Sequence, residues 1–141
     1  MKDIPRDNVS GIPHVMIVDD EESIRSCALK LLRHEGLGAV SAAGADECLD
    51  LLREGFRGVI LLDVRMPGRD GWDTIREMQE AGVLAGNIIC MLTANDPDER
   101  MEGLQEVVVD YIQKPYDSTE LVAAVRRYLG YLGYCTGPGD Q

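Results

Sequence analysis

The stretch VILLDVRMPG at residues 59–68 decides the fold and points to a site. It begins as a continuous run of apolar, β-forming residues and reaches a carboxylate at Asp63, which is followed by turn residues at Pro67 and Gly68. This pattern predicts a buried strand with Asp63 at its carboxyl end. An acid in that position suits a cleft above a sheet better than a core, so Asp63 is a candidate functional residue.

The composition predicts one globular domain with an acidic surface. The chain has 141 residues, of which 45% are hydrophobic, and this is enough to form a packed core without disulfides. Its 25 acidic and 14 basic residues give a net charge of −11. Such a charge opposes direct binding to nucleic acid and attraction to a membrane surface, so basic partners or metal ions are expected instead.

The cysteines and the first residues of the chain indicate a reduced, intracellular protein. Cys27, Cys48, Cys90 and Cys135 lack the spacing of a zinc site, and three of them fall at apolar positions of periodic segments. Reduced core thiols are therefore favoured over zinc ligands or disulfides. The chain starts without a signal-peptide pattern and has no run of membrane-spanning length, so we expect a cytoplasmic protein with no membrane insertion.

Strands and helices alternate along the chain on either side of the opening stretch. Apolar runs predict strands at residues 14–18, 38–42, 59–63, 87–93 and 107–112. Apolar residues at helical spacing, with capping and stop signals, predict five helices. These helices run from residue 24 to Gly36, from 45 to about Gly55, from 72 to Gly82, from about Pro97 onward, and from Asp117 to 132.

The alternation predicts an α/β fold, a doubly wound (βα)5 three-layer sandwich around a parallel sheet. Helical crossovers are right-handed and return each strand parallel to the last, and helices must then cover both faces of the sheet. We expect this domain to span residues 13–132, between a loose lead-in at 1–12 and a flexible tail at 133–141. In such sheets ligands bind at the carboxyl ends of the strands.

Four of the predicted strands carry polar residues at their carboxyl ends. Asp19 and Asp20 follow the first strand, Asp63 ends the third, Thr93 ends the fourth, and Lys114 follows the fifth. Three carboxylates within about 5 Å would repel by roughly 3 kcal/mol per pair, so they need a cation. Hard oxygen ligands favour Mg²⁺ or Mn²⁺. Together with an ammonium and a hydroxyl, they predict a phosphoryl-accepting site with Asp63 as the nucleophile.

Four segments of the chain together resemble the receiver domain of two-component response regulators. They are VDDE at residues 18–21, LDVRMP at 62–67 with Asp70-Gly71, MLTA at 91–94, and DYIQKP at 110–115. Each stands at the end of a predicted strand, and the resemblance covers roughly residues 13–132. It implies a flavodoxin-like sheet with the strand order 2-1-3-4-5.

The resemblance also implies a role for each acidic residue. Asp63 would accept a phosphoryl group from the phosphohistidine of a histidine kinase or a histidine phosphotransfer protein. Asp20 and Asp63 would bind Mg²⁺ directly, and Asp19 would act through a water molecule. The backbone carbonyl of Arg65 would complete the protein's share of the metal shell.

Three further residues would convert phosphorylation into a signal. Lys114 would pair with the phosphoryl group, the Thr93 hydroxyl would move toward it, and Tyr111 would turn inward into the space that the threonine leaves. The peptide bond between Lys114 and Pro115 is expected to be cis. The resemblance implies a regulatory switch with self-catalysed phosphotransfer and autodephosphorylation, rather than a turnover enzyme, that acts on a downstream protein.

Two positions depart from the usual pattern of this family. Val107 and Val109 stand where relatives commonly have glycine and aspartate. They indicate either an early start to the fifth strand or an apolar patch on the surface of the fourth helix, fifth strand and fifth helix, which would bind the target or a second copy. Arg65 is either a solvated loop residue or a group that leans over the phosphoryl group or pairs with acids near Asn95.

Two other functions stay open. An aspartate-nucleophile phosphatase of the haloacid-dehalogenase kind would need a second acid two residues after the nucleophile, where Arg65 stands. A receiver-like binding module that is never phosphorylated would not need a complete set of site residues. Both are therefore less favoured than the phosphorylated switch.

Overall fold

Five parallel strands form a single sheet in the order β2-β1-β3-β4-β5, as predicted. The computed structural model describes residues 12–94 and 107–134. The strands agree with the predicted segments to within one residue at each end. Their bounds are Val15–Val18 for β1, Ala39–Ala42 for β2, Val59–Asp63 for β3, Ile88–Thr93 for β4 and Val108–Gln113 for β5.

Four helices are present in the described residues. They are α1 at Glu22–His34, α2 at Ala45–Arg53, α3 at Gly71–Ala81 and α4 at Ser118–Leu132. The helix labelled α4 is the one predicted to follow the fifth strand, whereas the helix predicted to begin near Pro97 lies outside the described residues, as do most of the lead-in and the tail. Within the described ranges, every helix is too short or too polar to cross a membrane.

The central strands bury both of their faces, which explains their unbroken apolar runs. Along β3, Ile60 and Leu62 belong to one core cluster, together with residues of α2 and α3. Val59 and Leu61 belong to a second cluster, together with residues of α1 and α4. Because successive side chains of a strand point to opposite faces, the predicted three-layer arrangement follows directly.

The start of α3 is held close to the carboxyl end of β3. The Asp73 backbone N–H donates to Asp70 Oδ1 at 2.9 Å, and the Asp70 N–H donates to Asp73 Oδ2 at 3.1 Å, which completes a capping box. A Cβ atom at Gly71 would lie 2.7 Å from the Asp63 carbonyl oxygen, so glycine is required there. The helix therefore packs directly against the backbone of the candidate nucleophile.

Two expectations need correction. Cys48 and Cys90 are buried, and burial raises the pKa of each thiol to about 12, but Cys27 is exposed. The core-thiol prediction is therefore wrong for Cys27, because the orientation of α1 on the sheet leaves that position facing solvent. Strand β5 begins at Val108 rather than Val107, and it contains a β-bulge in which Val109, 50% exposed, is the extra residue between the partners of Ile89 and Cys90.

Candidate functional site

Three carboxylates meet at the carboxyl edge of the sheet, where the sequence predicted them. Asp19 and Asp20 directly follow β1, and Asp63 is the last residue of β3. One carboxylate oxygen from each lies within 4.8 Å of the others. Asp19 and Asp63 are buried, whereas Asp20 is exposed at the mouth of the group. This cluster of hard oxygen donors could hold a divalent metal ion.

Lys114, which directly follows β5, lies close to two of these carboxylates. Its Nζ lies 3.2 Å from Asp19 Oδ2 and 3.3 Å from Asp63 Oδ1. The Lys114 backbone N–H donates to the Thr93 carbonyl at 2.7 Å, which fixes the loop after β5 against the end of β4. The Lys114–Pro115 peptide bond is cis, as expected. The site thus contains a fixed cation.

Charged side chains lie close together in this partly buried site, and this shifts the pKa values of Asp63 and Lys114. Burial raises the pKa of the Asp63 carboxyl above its ordinary value; Lys114 counteracts this rise, and Asp19 adds to it. Burial lowers the pKa of Lys114, but the carboxylates of Asp63 and Asp19 outweigh that effect and raise it overall. Lys114 therefore stays charged and compensates for part of the negative charge.

The two oxygens of Asp63 have different surroundings. The backbone N–H of Arg65 donates to Asp63 Oδ1 at 3.3 Å, and Lys114 Nζ approaches the same oxygen. No described residue donates a hydrogen bond to Oδ2, and the nearest oxygen of Asp63 to Lys114 Nζ is Oδ1. In Asp19, by contrast, Oδ1 accepts the Glu21 N–H at 2.9 Å and Oδ2 contacts Lys114. Of the two buried acids, Asp63 is therefore the one with a carboxylate oxygen that accepts no hydrogen bond from the described residues.

Thr93 and Tyr111 lie on one side of the sheet beside this group. Thr93 ends β4 and is 8% exposed. Met91, two residues earlier on β4, is the register partner of Tyr111 on β5, so Thr93 and Tyr111 project from the same face. The ring centroid of Tyr111 lies 6.4 Å from that of Trp72 on α3. The residues expected to act as a switch are therefore close neighbours.

The loop between β3 and α3 contains two arginines with different surroundings. The Arg65 side chain is exposed, and it forms no ion pair with any residue in 12–94 or 107–134; the acids beyond Asn95 that it was expected to meet lie outside those ranges. Arg69, which the sequence did not single out, pairs with Asp46 of α2 and, at 2.9 Å, with Glu77 of α3. No local pattern identifies this pair of contacts, because Asp46 lies 23 positions and Glu77 eight positions from Arg69.

Comparisons with known proteins identify the family to which this fold belongs. The family model described as the response regulator receiver domain matches residues 15–126. A CheY-like response regulator receiver domain protein from Methanospirillum hungatei is similar in structure, with a TM-score of 0.81 and 45% identity over 85% of this chain and 96% of that one.

Two further solved structures are more distant in sequence. The chemotaxis protein CheY4 of Vibrio cholerae gives a TM-score of 0.72 at 26% identity, over 84% of this chain and 99% of that one. The receiver domain of the Francisella response regulator 1452 gives 0.73 at 26% identity, over 84% and 98% of the two chains. The chain therefore belongs to the family of response regulator receiver domains.

Proposed function

We propose that this receiver domain is a phosphorylation-controlled switch in which Asp63 accepts a phosphoryl group from a phosphohistidine. The observation that carries the proposal is the asymmetry of the Asp63 carboxylate. Lys114 and the Arg65 N–H contact Oδ1, whereas no described residue donates a hydrogen bond to Oδ2, which can therefore act as the nucleophile. A positioned carboxylate beside a fixed cation is what a phosphoryl acceptor requires.

The transfer is a simple displacement at phosphorus. An oxygen of Asp63 attacks the phosphoryl group, a P–O bond forms, and the P–N bond to the donor imidazole breaks, with the electron pair leaving on nitrogen. Lys114 neutralises a phosphoryl oxygen, and the Thr93 hydroxyl donates to another. Slow attack by water on the acyl phosphate later resets the switch, so the chain acts as a regulator rather than a turnover enzyme.

The donor set fits a divalent cation such as Mg²⁺ or Mn²⁺. Asp20 and Asp63 would bind it directly together with the Arg65 carbonyl, and Asp19, whose oxygens already contact Glu21 and Lys114, would act through water. When bound, the ion supplies neutralisation of the oxygens around phosphorus. The exposure of Asp20 supports this assignment, because it leaves room at the mouth of the group for water ligands.

Phosphorylation would be communicated to another protein through a change in the binding surface. Phosphorylation draws Thr93 toward the site and Tyr111 inward, which alters the surface formed by β5 and α4. On this surface Val109 is 50% exposed and Tyr131 is 70% exposed. We propose that this surface binds a downstream target, or a second copy of the chain as a homodimer, while a histidine kinase or phosphotransfer protein supplies the phosphoryl group.

Small-molecule phosphorylation tests the proposal. With acetyl phosphate and Mg²⁺, the mass of the intact protein should increase by one phosphoryl group, and the increase should vanish with a chelator or in the Asp63→Asn variant. Asp50→Asn is the matched control, since it removes an exposed acid on α2 that pairs only weakly with Arg53 at 4.0 Å. Incorporation that persists in Asp63→Asn would contradict the assignment.

A further inference from the structure

Trp72 contains a buried hydrogen-bond donor without a partner. Its side chain is 1% exposed in the first turn of α3. Its indole Nε1–H makes no hydrogen bond with any described residue. A buried donor left in this state costs about 1–3 kcal/mol, and folded proteins contain few of them. Phenylalanine would fill much of the same space without the cost, so the N–H calls for an explanation.

Tyr111 is the aromatic neighbour that can supply the missing acceptor. The ring centroids of Trp72 and Tyr111 are 6.4 Å apart, and the planes are inclined at 44°. Both rings pack in the core cluster on the α2 and α3 side of the sheet, with Trp72 in its interior and Tyr111 partly buried at its border. A tyrosine hydroxyl accepts hydrogen bonds as well as donating them. An inward rotation of Tyr111 that shortens this ring separation would bring its hydroxyl within reach of the indole.

The indole is also anchored to the phosphoacceptor loop. Trp72 follows Gly71, whose N–H donates to the Val64 carbonyl at 2.8 Å and whose Cα lies against the Asp63 backbone. The Asp70 capping box fixes the same turn of the helix. The backbone of Trp72 is therefore fixed next to the Asp63 loop, while its ring lies 6.4 Å from the ring of Tyr111.

We propose that Trp72 is a positioning residue for the switch: its indole N–H donates a hydrogen bond to the Tyr111 hydroxyl when Tyr111 turns inward. This inference rests on the proposed function, since the inward turn is the step that phosphorylation of Asp63 drives. The donor is unpaired in one state and paired in the other. That difference shifts the equilibrium toward the inward state by the energy of the new bond.

A single NMR signal tests the inference, because Trp72 is the only tryptophan in the chain. Beryllofluoride with Mg²⁺ serves as the phosphoryl mimic. On its addition, the indole proton signal should move downfield, and its exchange with solvent should slow by about tenfold, as expected for one added hydrogen bond. The Tyr111→Phe variant, which lacks only the hydroxyl, should show neither change. Tyr134→Phe is the control, since it alters a partly buried tyrosine that stacks on His14 at the other edge of the sheet.

Backbone amide signals of residues 63–66 report independently whether the mimic binds. If these signals move while the indole signal stays in place, the inference is wrong and the proposed function stands. An equal indole shift in Tyr111→Phe also overturns the inference, because water or another group would then be the acceptor. If neither set of signals moves, the proposed function itself is contradicted, and the inference fails with it.

Discussion

The polar groups at the amino ends of the strands, here called the amino edge, have different partners from those at the carboxyl ends, the carboxyl edge. At the amino edge, His14 Nδ1–H donates to the Arg57 carbonyl at 2.8 Å, and Asn87 Oδ1 accepts the Gly58 N–H at 2.9 Å. These contacts join side chains to the main chain. At the carboxyl edge, three carboxylates lie within 4.8 Å of one another beside a single lysine.

This difference in partners indicates which edge stabilises the fold and which edge is suited to bind a ligand. Side chains that bond to the backbone satisfy its polar groups and hold the strand ends in register. The carboxylates crowded together carry a negative charge that the protein alone does not compensate, so this edge is suited to bind a cation, which could in turn neutralise the oxygens of a phosphoryl group. Changes at the amino edge should therefore affect stability alone, whereas changes at the carboxyl edge should affect chemistry and make stability depend on metal ions.

The largest effect on stability is expected at Gly58, on the amino edge. A Cβ atom there would lie 2.0 Å from the His14 carbonyl oxygen, and the residue has a φ of 155°. Gly58→Ala must displace main chain, so we expect a loss of about 3 kcal/mol or more in the free energy of unfolding, measured in urea. Phosphoryl incorporation per folded molecule should be unchanged.

Gly130→Ala is the matched control for that experiment. Gly130 lies within α4, and a Cβ added there would have no atom within 4 Å, so alanine should raise stability by about 0.5–1 kcal/mol through helix propensity. If Gly58→Ala and Gly130→Ala change the free energy of unfolding by the same amount, the close approach of Gly58 to His14 does not determine the stability of the amino edge.

A smaller effect is expected at Lys114, and it should depend on metal. Lys114→Met leaves Asp19 and Asp63 without their cation, so stability in a chelator should fall by about 2 kcal/mol. Mg²⁺ should restore more stability in this variant than in the parent, because the ion replaces the lost charge. Thermal unfolding with and without Mg²⁺ measures both.

Arg53→Met controls for the loss of a positive charge. Arg53 pairs with Asp50 at 4.0 Å, and both side chains are more than half exposed, at 58% and 68%. Such a pair contributes less than about 0.5 kcal/mol, and Mg²⁺ should have no extra effect. An Mg²⁺ response of Lys114→Met no larger than that of Arg53→Met would show that the carboxyl edge carries no charge surplus.

The smallest effect on stability is expected at Arg65, where the change should be kinetic. The side chain is exposed, so Arg65→Asn should alter stability by less than about 0.5 kcal/mol. Because Arg65 follows the acceptor by two residues, the change should alter access of water to the acyl phosphate and shift its lifetime several-fold. The decay of the phosphorylated mass after removal of the donor measures this lifetime, and decay equal to that of an Arg53→Asn control would refute the role.

The positions of the strands and most of the candidate site were predictable from local pattern. The run at 59–68 contains Asp63 at the end of its strand, and the same rule identified Asp19, Thr93 and Lys114 at other strand ends. The pattern was less informative at the surface of the fold. Cys27 occupies an apolar position of α1 yet is exposed, because the width of the buried stripe depends on how the helix lies on the sheet.

Other features depend on pairing between distant segments. The bulge that exposes Val109 arises from the register of β5 on β4. The contacts of Arg69 with Asp46 and Glu77 need two helices to meet. The missing partner of the Trp72 indole appears only when every neighbour is in place. None of these features has a signature within a few residues of the chain.

By itself, the sequence determined the alternation of strands and helices, the motifs at the strand ends and, through resemblance, the family. Only the tertiary structure decided which oxygen of Asp63 is open, how Lys114 bridges two acids, and that Trp72 lies beside Tyr111. The physical reason is the separation along the chain over which each kind of interaction acts. Propensity and periodicity act between near neighbours in the chain, whereas the Lys114–Asp19 contact joins residues 95 positions apart and exists only after folding.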